Sequence, residues 1–60
     1  MTLDERIKYE EEETELDEEL ARIYKEHGNT IESCFYKERA EGHRQLAEWL
    51  KELKAYKENK

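Results

Sequence analysis

The chain has 60 residues, with 17 acids against 11 Lys and Arg and a net charge of −6. That length allows one domain, 1–60, with a modest core, and the lone thiol of Cys34 excludes an internal disulfide. The acidic balance disfavours direct nucleic-acid binding, because phosphate contacts supply most of that affinity. No stretch is apolar enough to span a membrane.

Charged residues make up 47% of the chain and hydrophobic ones 35%, a balance that leans toward disorder. The pattern opposes that reading. Proline is absent, glycine occurs only at 28 and 42, and Glu, Lys, Leu, Ala and Arg dominate. These are helix formers, and this is the composition of long helices and coiled coils. The fold class expected is all-α.

The first helix is predicted over about 2–27. Thr2 precedes Leu3-Asp4-Glu5 in the layout of a capping box. Leu16, Leu20 and Ile23 share one face, with Tyr24 and His27 beside it. Leu3 and Ile7 share another, nearly opposite face. Either the helix breaks at Thr14, which heads a weaker mid-chain cap, or it runs straight and Leu3 and Ile7 pack on another subunit. The straight helix is favoured, since Glu10 to Glu13 are helix formers and no Gly or Pro intervenes. Residues 10–19 hold eight acids and no base, and residues 1–27 carry 11 acids and 4 bases, net −7.

His27-Gly28-Asn29 reads as a glycine stop followed by an Asn cap, giving a turn at 27–30. A turn that short makes its helices antiparallel neighbours. The second helix is predicted over about 30–58. Ile31, Phe35, Gly42, Leu46, Trp49, Leu53 and Tyr56 form its stripe, Leu50 widens it and Arg39 interrupts it. Gly42 is expected to admit a facing helix closely. Ala40, His43 and Ala47 form a small-residue flank suited to a second helix contact. Residues 28–60 hold 6 acids and 7 bases, net +1. The aromatics Trp49, Phe35, Tyr24 and Tyr56 read as core, and Tyr9 as the most exposed aromatic.

So small a hairpin needs a further stabiliser, and self-association into a four-helix bundle or larger helical oligomer is expected. The residues assigned to it are Leu3, Ile7, Leu16, Leu20, Ile23, Phe35, Leu46, Trp49, Leu50 and Leu53. Glu10, Glu11, Glu12, Glu13, Glu15, Asp17, Glu18 and Glu19 are the candidate protein-binding face. They mimic nucleic-acid phosphates toward a basic host groove, or they are a solvated face that keeps the chain soluble. Lys37, Arg39, His43 and Arg44 are the candidate site for a small anionic ligand such as a signalling nucleotide, or ordinary surface charge paired with Glu38, Glu41 and Glu48.

No catalytic residue, cofactor or metal is assigned. His27, Cys34 and His43 lack the pairings metals use, and no calcium loop is present. Cys34 reads as a half-buried structural thiol, or as one that meets its symmetry mate across a dimer axis.

Met1-Thr2-Leu3-Asp4-Glu5-Arg6-Ile7 and His43-Arg44-Gln45-Leu46-Ala47-Glu48-Trp49-Leu50-Lys51-Glu52-Leu53-Lys54 together resemble very small helical proteins encoded in phages and prophages of Gram-positive gut bacteria. Gly42 stands where members often carry an acid or alanine, and the middle of the chain has fewer cysteines than is common there. The resemblance implies a setting rather than a chemistry. Within the host cytoplasm, as the opening lacks the layout of a signal peptide, a non-enzymatic accessory protein is expected. It would bind and modulate a host protein, for instance as a defence inhibitor, through the acidic face. The alternatives are sequestration of an anionic ligand at subunit junctions and a structural role in phage assembly.

Overall fold

A computed structural model describes residues 1–59 and shows two helices, α1 (Leu3–Glu26) and α2 (Thr30–Glu58). They pack side by side and antiparallel as a hairpin measuring 50 × 15 × 13 Å. Among the described residues, no helix is long and apolar enough to cross a membrane.

The local signals act where the sequence puts them. Thr2 caps α1, its Oγ1 accepting from the Glu5 amide at 3.1 Å. The helix runs unbroken through Thr14. That hydroxyl donates to the Glu10 carbonyl at 2.8 Å, one turn back in the same helix, and so is not spent on a new cap. Gly28 sits at φ +78, with its amide on the Lys25 carbonyl and the Asn29 amide on the Tyr24 carbonyl. Those two bonds are the Schellman closure, which a left-handed glycine makes cheap. Asn29 holds the N-cap position of α2 but makes no side-chain cap bond there, unlike the expected cap.

The seam between the helices follows a seven-residue spacing. From α1 it takes Ile7, Thr14 and Ala21, and Glu10, Asp17 and Tyr24. From α2 it takes Ser33, Ala40, Ala47 and Lys54, and Tyr36, His43 and Leu50. Every one of these is buried or half-buried. Such recurrence keeps one stripe of each helix against its neighbour over many turns. Ala40 and Ala47 let the backbones approach, and Ser33 Oγ crosses to donate to the Ala21 carbonyl at 2.7 Å. At the turn end, the Tyr24 and Tyr36 rings stack 5.4 Å apart.

Several expectations are corrected here. Ile7 is buried against α2 and Leu3 is half-buried at the open end of the seam, so neither is held out for another subunit. The flank of Ala40, His43 and Ala47 is the hairpin contact itself. Gly42 admits no facing helix within the hairpin, for a Cβ built on it meets nothing within 4 Å. Trp49, Phe35 and Tyr56 lie outside the hairpin core, and all three are more exposed than Tyr9. Cys34 is exposed rather than half-buried.

Candidate functional site

Two features of this hairpin stand out: the charge inside its seam and the apolar surface left outside it. Glu10 and Asp17, seven residues apart on α1, are 1% and 2% exposed and are the largest fully buried side chains. Carboxylates enter an interior only when partnered. Glu10 has two partners. His43 Nδ1 lies 2.5 Å from its Oε2, and Arg6 reaches its Oε1 at 3.2 Å from one turn before. Asp17 is less well served. His43 Nε2 and Arg39 Nε each stand 3.6 Å from its Oδ2, within ion-pairing range but too far to hydrogen-bond, and that oxygen has no hydrogen-bond partner. His43 thus lies between two buried acids, with each ring nitrogen turned to one of them.

The seam divides the rest of the surface into two broad sides. One is a charge ladder. Arg44 pairs with Glu18, and Lys51 with Glu11 at 2.9 Å. A shallow open depression there is lined by these four residues with Thr14, Ala47, Glu15 and Glu48.

The other broad side is apolar. At about 100° per residue, Leu16, Leu20 and Ile23 lie roughly 120° round α1 from the seam. Phe35, Leu46, Trp49 and Leu53 lie the same angle round α2, and antiparallel packing brings both rows to one side of the hairpin. Leu16, Ile23, Phe35, Trp49 and Leu53 are exposed there, and Leu20 and Leu46 are half-buried. Arg39 also lies on this side, over the Phe35 ring at 5.7 Å.

The residues read as an anion site are not gathered into one. Lys37 and Arg44 stand on the ladder side, Arg39 on the apolar side and His43 in the seam. Arg44, Arg39 and His43 each face a carboxylate of α1. The acidic run is dispersed in the same way. Glu10 and Asp17 are inside, while Glu11 and Glu18 belong to the ladder. Glu12, Glu15 and Glu19 project from the outer edge of α1, with Glu12 only 4.0 Å from Lys8. Glu13, Glu15 and Glu19 make no ion pair among the described residues.

At the open end, Lys54 reaches Asp4 at 2.5 Å and Glu58 at 3.8 Å. The hydrogen bond that Lys54 donates to Asp4, then the charge of Asp4, raise the Lys54 ammonium above the ordinary lysine value. Among the described residues, no group of three or more His, Cys, Asp and Glu is arranged to hold a metal ion.

Sequence reasoning did not anticipate the buried acids, because Glu and Asp are among the residues least often interior. A signal was nonetheless present. The intervals Ile7-Thr14-Ala21, Glu10-Asp17-Tyr24 and Ser33-Ala40-Ala47 are all seven, whichever residue types fill them. Comparison of the chain with protein families, curated proteins and solved structures gives no match.

Proposed function

We propose that the chain is a non-enzymatic accessory protein that binds and modulates another protein, of the kind small phage and prophage proteins exert on host enzymes or host defence in the host cytoplasm. The reading rests on the acids that take no part in the contact between the two helices. Glu12, Glu15 and Glu19 form an outward edge on α1, on a chain of net charge −6. Such an edge attracts a basic surface and speeds encounter with it. This edge is narrower than the full acidic run and excludes Glu10, Glu11, Asp17 and Glu18, which are engaged within the hairpin. Recognition by an outer helix face also suits a molecule whose surface depressions are shallow and open.

The test is affinity capture from a lysate of the host, comparing the natural chain with Glu12→Lys/Glu15→Lys/Glu19→Lys. A captured protein that is lost with the triple variant, at unchanged helicity by circular dichroism, is the expected result. Equal capture by both chains sinks the acidic-edge reading.

A further inference from the structure

The apolar side asks for a cover. Among the described residues three hydrophobic ones are buried in the hairpin, Ile7, Ala40 and Ala47, and two of them are alanines. Five large ones, Leu16, Ile23, Phe35, Trp49 and Leu53, stay exposed on one side. The accessible surface is 4864 Å², whereas a folded monomer of 7.4 kDa has about 4,200 Å². The excess is several hundred square ångströms. Five large side chains on one side are the surface available for such a contact, and a stable interface takes roughly 800 Å² from each partner.

We propose that this side is covered by a second copy of the same chain, forming a four-helix bundle in which the two apolar sides face each other. Two observations choose a second copy over a different protein. The first is charge. Most of the exposed acids of α1 lie at its outer edge and on the ladder side. The apolar side carries Arg6 and Arg39 directed at Glu10 and Asp17, with the half-buried Glu13 between the Arg6 and Leu20 positions, so it holds little net charge to repel its own likeness. The second is need. A hairpin with so little buried is marginal alone, so its cover must be present wherever the chain is, and only another copy meets that condition without a supply of something else.

Gly42 fits the same arrangement. It lies mid-helix on the axis of the apolar side, between Phe35 and Trp49, with open space outside it. Glycine is a poor residue for a helix interior, and the hairpin offers no contact that requires one. A facing helix from a second copy does, since the missing side chain lets its backbone come close.

The bundle would also complete the seam. Arg6 and Arg39, each about half exposed in the hairpin, reach the buried acids from this side. Covering them removes water from both ion pairs. The inference concerns a different surface from the acidic edge, which stays outward in the bundle, so either reading can fail alone.

Trp49 is the only tryptophan in the chain and is 59% exposed in the hairpin, which makes it a reporter on the surface in question. The experiment is light scattering after size exclusion, over a range of concentrations with reductant, alongside Trp49 emission. The expected result is a mass of two copies with blue, water-shielded emission. On dilution, emission should move to the red as the mass halves. Leu53→Glu is expected to weaken association by more than about tenfold, as a charge at the centre of an apolar contact does. A folded natural chain that stays a single copy at every concentration overturns the proposal. So does a dimer whose Trp49 emits as a water-exposed indole, because the copies then meet elsewhere. The natural chain decides the matter even if Leu53→Glu fails to fold.

Discussion

His43 of α2 reaches across the seam to Glu10 of α1, its Nδ1 2.5 Å from a carboxylate that is 1% exposed. This pair joins the middles of the two helices across the seam. Removing His43 leaves the buried Oε2 of Glu10 without its partner, with Arg6 still on Oε1, and breaking a buried pair costs up to roughly 3–5 kcal/mol. His43→Ala is therefore expected to lower the stability of the hairpin markedly, read by circular dichroism during urea unfolding. Replacing both partners, as Glu10→Leu/His43→Leu, is expected to restore most of that stability, because packed apolar groups need no counter-charge. A single variant as stable as the natural chain would show that the pair is dispensable.

Gly28 holds the turn at φ +78. Gly28→Ala is expected to lower stability by about 1–2 kcal/mol, the cost of a side chain in left-handed backbone. Urea denaturation measures it. A neutral outcome would mean that the turn has another conformation available at no cost.

Ser33→Ala removes the donor to the Ala21 carbonyl, the hydrogen bond that ties α2 to the backbone of α1. The expected loss is about 1 kcal/mol in thermal or urea unfolding. Ser33→Thr keeps the hydroxyl and is expected to recover part of it.

Alkaline pH tests the open end of the hairpin. Asp4 raises the Lys54 ammonium above 10.5, the ordinary lysine value. The folded chain thus holds that proton more tightly than the unfolded one. The stability this contributes is fully present below 10.5 and is lost as the pH climbs through the higher folded value. Melting temperatures measured across that window should fall less for Asp4→Asn than for the natural chain. The difference should be small, since the pair is exposed to solvent. Parallel curves would show that the contact has no thermodynamic effect.

What could be read in the sequence were the features that depend on near neighbours. Thr2 and Glu5, three residues apart, and Gly28 between two helix-forming runs fix where α1 begins and turns. The two helices and their antiparallel order follow from those. The seam could not be read in the same way. Leu16, Leu20, Ile23, Phe35, Trp49 and Leu53 make the stronger hydrophobic stripe, and hydrophobicity alone assigns the stronger stripe to the first contact. In the hairpin the small side chains of Ala40 and Ala47 win that place, because they bring the backbones close while His43 satisfies Glu10. That choice depends on partners 33 residues apart, Glu10 and His43, and no local pattern records it. The same arrangement decides the candidate sites. Arg39, His43 and Arg44 look like one basic patch along the chain, but the helix turns them to three different surfaces.

The polar seam also bears on alternatives the chain must avoid. Two helices with apolar stripes can slide along one another by a full heptad at little cost, since one leucine replaces another. Here a slide of seven would set Leu50 or Tyr36 against Glu10 in place of His43, and the buried carboxylate oxygen that faces His43 would lose its partner. Glu10 and Asp17 thus act as a key cut for a single register. The hairpin gives up apolar burial in its own seam and gains a single alignment of its two helices.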